Sequence, residues 1–116
     1  MGLVEISQTE GRVPITVFRL QDRVNLGNYA ELEQTAKESY ENGMRDLVID
    51  LSTTPSLTSI GIRALVVIHR MLSGSGSEKH LKLAGPLPYI REMLDVSGVT
   101  QYIEIYDTVD DAVASF

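Results

Sequence analysis

The sequence predicts an α/β fold: a mixed, mostly parallel β-sheet behind an N-terminal hairpin, with about four helices, in a single domain spanning residues 1–116. Three observations carry this expectation. Strand-like runs alternate with helix-like runs along most of the chain. Leu47-Val48-Ile49-Asp50-Leu51 is almost continuously apolar, as a strand covered on both faces must be, and it belongs at the sheet centre. Two β-rich runs near the N-terminus are separated only by a short polar stretch with one glycine, the pattern of a hairpin.

The hairpin strands are Leu3 to Ser7 and Pro14 to Leu20, joined through Gln8-Thr9-Glu10-Gly11-Arg12; Pro14 suits the first residue of a strand, where its missing N–H costs nothing. Asn28-Tyr29-Ala30-Glu31 has the form of a helix start, a short polar cap followed three residues on by a Glu able to reach back to the orphan amides. Leu32, Ala36 and Tyr40 then share one face, and Gly43 stops the helix. After the central strand, Gly61 to Leu72 reads as a helix ended by the flexible run Ser73-Gly74-Ser75-Gly76-Ser77. His80 to Ala84 is a strand, Tyr89 to Val96 a short helix closed by Gly98, Tyr102 to Tyr106 a strand, and Val109 to Phe116 a terminal helix.

Composition narrows the function. A chain of 116 residues suffices for one ordinary core. The formal net charge of -6 leaves no basic stripe to neutralise phosphates, so nucleic acid is not an expected partner. Cysteine is absent, which removes disulfides, thiolate metal sites and thiol nucleophiles together and suits a reducing cytoplasm. The longest apolar stretch, Ile60 to Ile68, is interrupted by Arg63 and too short to span a bilayer, and the first residues lack the basic and apolar regions of a secretory signal. A cytoplasmic protein without direct membrane insertion is the expectation.

The most informative segment is Ser52-Thr53-Thr54-Pro55-Ser56-Leu57-Thr58-Ser59-Ile60-Gly61, which leads from the central strand to the next helix. In open parallel sheets, ligands and partners meet the protein beyond the carboxyl ends of the strands, where helix N-termini bring unpaired amides and positive partial charge. A phosphate on one of these hydroxyls would sit against that positive end and be tolerated by the fold, so modification here would act on a partner more than on stability. From the residues alone a plainer reading is favoured: Thr58 or Ser59 caps the helix, a contribution of about 1 kcal/mol.

The string Asp46-Leu47-Val48-Ile49-Asp50-Leu51, followed by Leu57-Thr58-Ser59-Ile60-Gly61-Ile62-Arg63-Ala64-Leu65, resembles the signature of the STAS family. There a hydrophobic strand ending in Asp-Leu leads to Asp-Ser-Ser-Gly-Leu or Asp-Ser-Thr-Gly-Leu and then a helix. The tail, Ile90 to Val99 and Ile103 to Phe116, is similar to the family's ending, so the resemblance covers essentially the whole chain. It implies the fold of the anti-sigma factor antagonists and their kind of work, in signalling and transcription regulation: no enzymatic activity, no cofactor, and binding to a protein partner, an anti-sigma factor or serine kinase, or a phosphatase. The family also implies an alternative, an accessory subunit or ligand-binding module of a membrane transport system. The family's phosphorylated members carry the acceptor hydroxyl immediately before the glycine, where this chain has Ile60; Thr58 and Asn25 stand where acidic residues are usual. The resemblance then implies either constitutive competence to bind or phosphorylation at Ser59 or Thr58.

The helix after the turn supplies the rest of the expected partner surface. At about 100° per residue, Ile62, Leu65, Ile68 and Leu72 group on one side, Arg63, Val67 and Arg70 on the other, with Val66 and Met71 flanking. An outward face mixing Arg with aliphatic residues suits an interface, and scattered surface apolars are equally normal. The expected binding set is Asn25, Thr58, Ser59, Ile60, Gly61, Arg63 and Val67, with Gly61 permitting close backbone approach.

Other chemistries find less support. His69 and His80 lie on different elements without paired ligands, so no metal site is expected, and His69 reads as a satisfied, half-buried imidazole. Ser59, a histidine and Asp50 lack the surroundings of a nucleophile elbow. Gly74 to Lys79 is followed by His80 and a strand, unlike a phosphate loop. Asp107, Asp110 and Asp111 lack the remaining ligands of a calcium loop and suit a helix start.

Overall fold

The computed structural model describes residues 2–74 and 79–116. Its elements run β1 Val4–Glu10, β2 Pro14–Leu20, α1 Tyr29–Glu41, β3 Leu47–Asp50, α2 Ser59–Ser73, β4 Leu81–Ala84, α3 Pro88–Ser97, a 3-10 turn Val99–Gln101, β5 Glu104–Tyr106 and α4 Val109–Ala114. The strands form one sheet in sequence order, β1 antiparallel to β2 and the remaining pairs parallel. The apolar run from Leu47 is therefore the central strand, and its burial follows the two-residue period. Leu47 and Ile49 enter the main core with Phe18, Leu20, Leu32, Leu65, Ile68, Leu83 and Ile90, under α1, α2 and α3. Val48 faces the other way, into a smaller cluster with Ile15, Val17, Ala84 and Ala112 that α4 covers.

Several boundaries differ from expectation, for local reasons. β1 continues to Glu10 because it pairs residue for residue with β2 as far as Glu10 opposite Pro14, leaving Gly11, Arg12 and Val13 as the turn. The strand expected from Tyr102 begins at Glu104, because the 3-10 turn carries on: the Tyr102 and Ile103 amides both donate to the Val99 carbonyl, at 3.1 and 2.8 Å. Gly98 closes α3 in the left-handed region, φ 87°, as its position implied.

The start of α1 is the instructive departure. Its Asn28 makes no side-chain capping bond; the Oδ1 accepts from the Asn25 amide at 2.9 Å and the Nδ2 donates to the Arg23 carbonyl at 2.7 Å. Glu31 does not turn back to the cap either. Its carboxylate accepts from the Leu3 amide at 2.7 Å, so the acidic residue read as a local helix signal fastens the strand entry to the helix. Of the run expected to end α2, Ser73 is the last residue of that helix and Gly74 its C-cap; residues 75–78, and with them most of the loop from Gly74 to Lys79, lie outside the described residues.

Candidate functional site: the corner where α2 begins

The turn between β3 and α2 is built on backbone bonds to the chain that leaves β2. Val24 and Leu57 form an isolated parallel bridge: the Val24 amide donates to the Ser56 carbonyl at 3.0 Å and the Thr58 amide to the Val24 carbonyl at 3.1 Å. The Thr53 and Thr54 hydroxyls both donate to the Leu20 carbonyl, at 3.0 and 3.1 Å, and Asp50 accepts from the Ser52 amide at 2.9 Å. This stitching sets Asn25 beside Thr58, at the same end of the sheet.

Thr58 is the cap of α2. Its hydroxyl oxygen accepts from the Gly61 amide at 3.4 Å and donates to the Val24 carbonyl at 3.2 Å, so both of its capacities are used inside the chain. Gly61 is buried, and a Cβ there would lie 2.7 Å from Leu57 Cδ1 and 3.0 Å from both Cγ1 and the carbonyl oxygen of Val24. The close approach expected at Gly61 is thus an internal one, made by Val24 and Leu57. Packing, not partner contact, requires glycine there.

The next residues face outward. Ser59 is exposed and its hydroxyl has no hydrogen bond among the described residues; Ile60 is half-buried; Arg63 is exposed, without an ion pair to the described residues. Val67 keeps 42 % of its surface. The helix-face assignment also holds on the inner side, where Ile62, Leu65, Ile68 and Leu72 are buried, with Val66 and Met71 intermediate. Ile60, Arg63 and Val67 form one wall of a cleft of about 270 Å³ whose other wall is Tyr29 and Glu33 of α1. Those two residues were missed in the sequence. Their spacing, four apart on one helix, was available as a signal, but Tyr29 was absorbed into the cap and nothing indicated that α1 would lie along α2.

The remaining titratable groups lie elsewhere. His69 packs its ring 5.2 Å from that of Tyr102, and burial, followed by the charges of Arg70 and Lys79, lowers its pKa. Its Nδ1 is buried without a hydrogen-bond partner among the described residues, where a satisfied imidazole was expected. His80 Nδ1 lies 2.7 Å from Asp46. No hydrogen bond among the described residues joins Ser59 to a histidine or to Asp50, so the serine–histidine–aspartate arrangement is not assembled. Thr108 caps α4 by accepting from the Asp111 amide at 3.0 Å, and Asp110 and Asp111 occupy that helix's first turn. Among the described residues no group of three or more acidic or histidine side chains is placed to hold a metal, and no helix is long and apolar enough to cross a membrane.

With this geometry established, comparison with known proteins decides the family. The family model for the STAS domain matches residues 7–112. The chain belongs to the STAS domain family. Its relative BtrV of Bordetella bronchiseptica, named as a candidate anti-sigma factor antagonist, is 28 % identical over 97 residues, 84 % of this chain and 82 % of BtrV. Among solved structures, a candidate anti-sigma factor antagonist from Thermotoga maritima superposes with a TM-score of 0.85 at 17 % identity, over 97 % of this chain and 92 % of that one. The Bacillus cell fate determinant SpoIIAA in its phosphorylated form gives 0.70 at 14 % identity, over 97 % of both chains. At such identities the structures establish the fold: this is a STAS domain with the architecture of the anti-sigma factor antagonists.

Proposed function

We propose that this STAS domain is an anti-sigma factor antagonist-like regulator that performs no chemistry of its own and works by docking onto a protein partner, an anti-sigma factor of the serine kinase type. The observation that carries the reading is the division of labour at the α2 corner. Thr58 and Gly61 are consumed in building it, while Ser59, Arg63 and Val67 stand exposed on a helix face whose apolar residues border the α1–α2 cleft. An arginine beside aliphatic anchors over a shallow cleft is the composition that protein interfaces favour. The name of BtrV supports the same kind of partner.

The two candidate phosphorylation sites are not equivalent. A phosphate on Thr58 would cost the bonds to Gly61 and Val24, whereas Ser59 offers an exposed hydroxyl at the positive end of a 15-residue helix. Ser59 is therefore the site at which a kinase partner would act without loosening the cap. Binding is tested by titrating the purified serine kinase anti-sigma factor of the native host into wild type, Arg63→Glu and Val67→Asp. Affinity is expected to fall at least tenfold in both variants with the fold intact by circular dichroism, and unchanged affinity in both counts against this face. Phosphopeptide mass spectrometry after incubation with that kinase and ATP is expected to place phosphate on Ser59; phosphate on neither Ser59 nor Thr58 removes the switch and leaves a constitutive binder.

A further inference from the structure

The opposite flank of the sheet carries a feature that the proposed function does not use. β1 is an edge strand of seven residues, Val4–Glu10, paired among the described residues with β2 alone. The other edge, β5, is three residues long, and its Glu104 is tied to Lys82. Edge strands are usually protected from pairing by charged side chains, Lys above all, by Pro, by a bulge or by brevity; of these β1, VEISQTE, has only Glu5 and Glu10, neither at the middle of the strand, and its register with β2 is continuous.

The phase of its backbone follows from two bonds. The Gln21 amide donates to the Leu3 carbonyl and the Thr16 amide to Asp46 across the β2–β3 boundary. Glu5, Ser7 and Thr9 thus exchange hydrogen bonds with Arg19, Val17 and Ile15, while Val4, Ile6, Gln8 and Glu10 turn their N–H and C=O groups outward.

We propose that β1 pairs antiparallel with β1 of a second copy of this chain about a two-fold axis at Ser7, making one sheet continuous across both copies. This register overlaps the whole strand and obeys the backbone phase. Val4 lies opposite Glu10 and Ile6 opposite Gln8 as hydrogen-bonded pairs; Glu5 lies opposite Thr9 and Ser7 opposite itself as non-hydrogen-bonded pairs. The charges fit, since no glutamate faces a glutamate. Ile6, 49 % exposed in the single chain, gains its own copy as a diagonal neighbour on the face of the sheet that carries α1, α2 and α3. A strand pair of this length buries less than about 1,000 Å², so the association is concentration-dependent. None of the α2 corner residues takes part, and the inference stands apart from the proposed partner.

The absence of cysteine makes the test clean. In the Ser7→Cys variant the two thiols face each other in a non-hydrogen-bonded pair, about 4.5 Å between Cα atoms, within disulfide reach. In Thr9→Cys the thiol faces Glu5 of the other copy. Under mild oxidation, Ser7→Cys is expected to form a covalent dimer at least tenfold faster than Thr9→Cys. Adding Ile6→Lys or Gln8→Pro to Ser7→Cys is expected to slow that reaction at least tenfold with circular dichroism unchanged, because residue 8 directs its N–H outward. Wild type is expected to shift from monomer to dimer with concentration in sedimentation equilibrium. Equal cross-linking rates for the two cysteine variants, or a monomer at every concentration up to the millimolar range, overturns the proposal.

Discussion

Two polar clusters of this STAS domain make an instructive contrast, the α2 corner and the group around Lys82. Lys82 is buried in β4, yet its ammonium donates to the Ser115 carbonyl at 3.1 Å and hydroxyl at 2.8 Å, meets Glu104 at 3.1 Å, and lies 4.4 Å from the Phe116 ring centroid. Every capacity of that cation is answered by its own chain, and the result is a clamp that holds the end after α4 against the sheet. At the α2 corner, by contrast, polar groups divide: Thr58 is answered internally, while Ser59 and Arg63 have no side-chain hydrogen bond or ion pair to the described residues. Polarity at a sheet's end is therefore not in itself a site. The proposed site at the corner rests on exposed polar groups set beside the apolar wall of the α1–α2 cleft.

The contrast is sharpened most by removing the clamp. Lys82→Ala strips the Ser115 and Glu104 oxygens of a charged donor, and urea denaturation should show a loss of about 2 kcal/mol, the scale of hydrogen bonds to a charged group. Faster amide exchange in α4 should accompany it. A loss no larger than that of an ordinary surface substitution would mean the cluster is as unengaged as the corner.

At the corner itself, neighbouring hydroxyls should behave differently. Thr58→Ala removes the cap and the bond to Val24 and should cost about 1 kcal/mol, whereas Ser59→Ala should stay within about 0.5 kcal/mol of wild type. Equal costs would break the division of labour on which the functional proposal stands.

The smallest expected effect is one of pH. Burial by itself would raise the pKa of Glu104, but hydrogen bonds from Lys82 and Tyr106 and the charges of Lys82 and Lys79 outweigh it, and the pKa lies below its ordinary value of 4.5. The unfolded chain therefore takes up this proton first. The stabilisation is present in full above pH 4.5 and is lost as pH falls through the lower folded value. Glu104→Gln should flatten the decline of stability in that acidic window, and an unaltered slope would show that Glu104 contributes nothing to it.

Much of this was legible in the residues because the signals were local or periodic. The continuous apolar run at Leu47, the stop at Gly98 and the two faces of α2 each depend on a few neighbouring side chains, and each was read correctly. What escaped depends on distant parts of the chain meeting. Glu31 looked like a capping residue until the Leu3 amide, 28 positions away, took its carboxylate. Gly61 looked like a place for a partner's backbone until Val24 was found against it. Tyr29 and Glu33 belong to the candidate site only because α1 lies along α2, a packing relation that no single segment encodes.

The exposed start of α2 is proposed as the surface that a partner protein covers. It is tested most directly by titrating the unlabelled serine kinase anti-sigma factor of the native host into this domain labelled with nitrogen-15 and following the backbone amides. The predicted result is that shifts concentrate at Asn25, Tyr29, Glu33 and from Thr58 to Val67, while Lys82, Glu104 and Ser115 stay where they are. Shifts gathered around Lys82 and α4, with Ser59, Arg63 and Val67 unmoved, would contradict it.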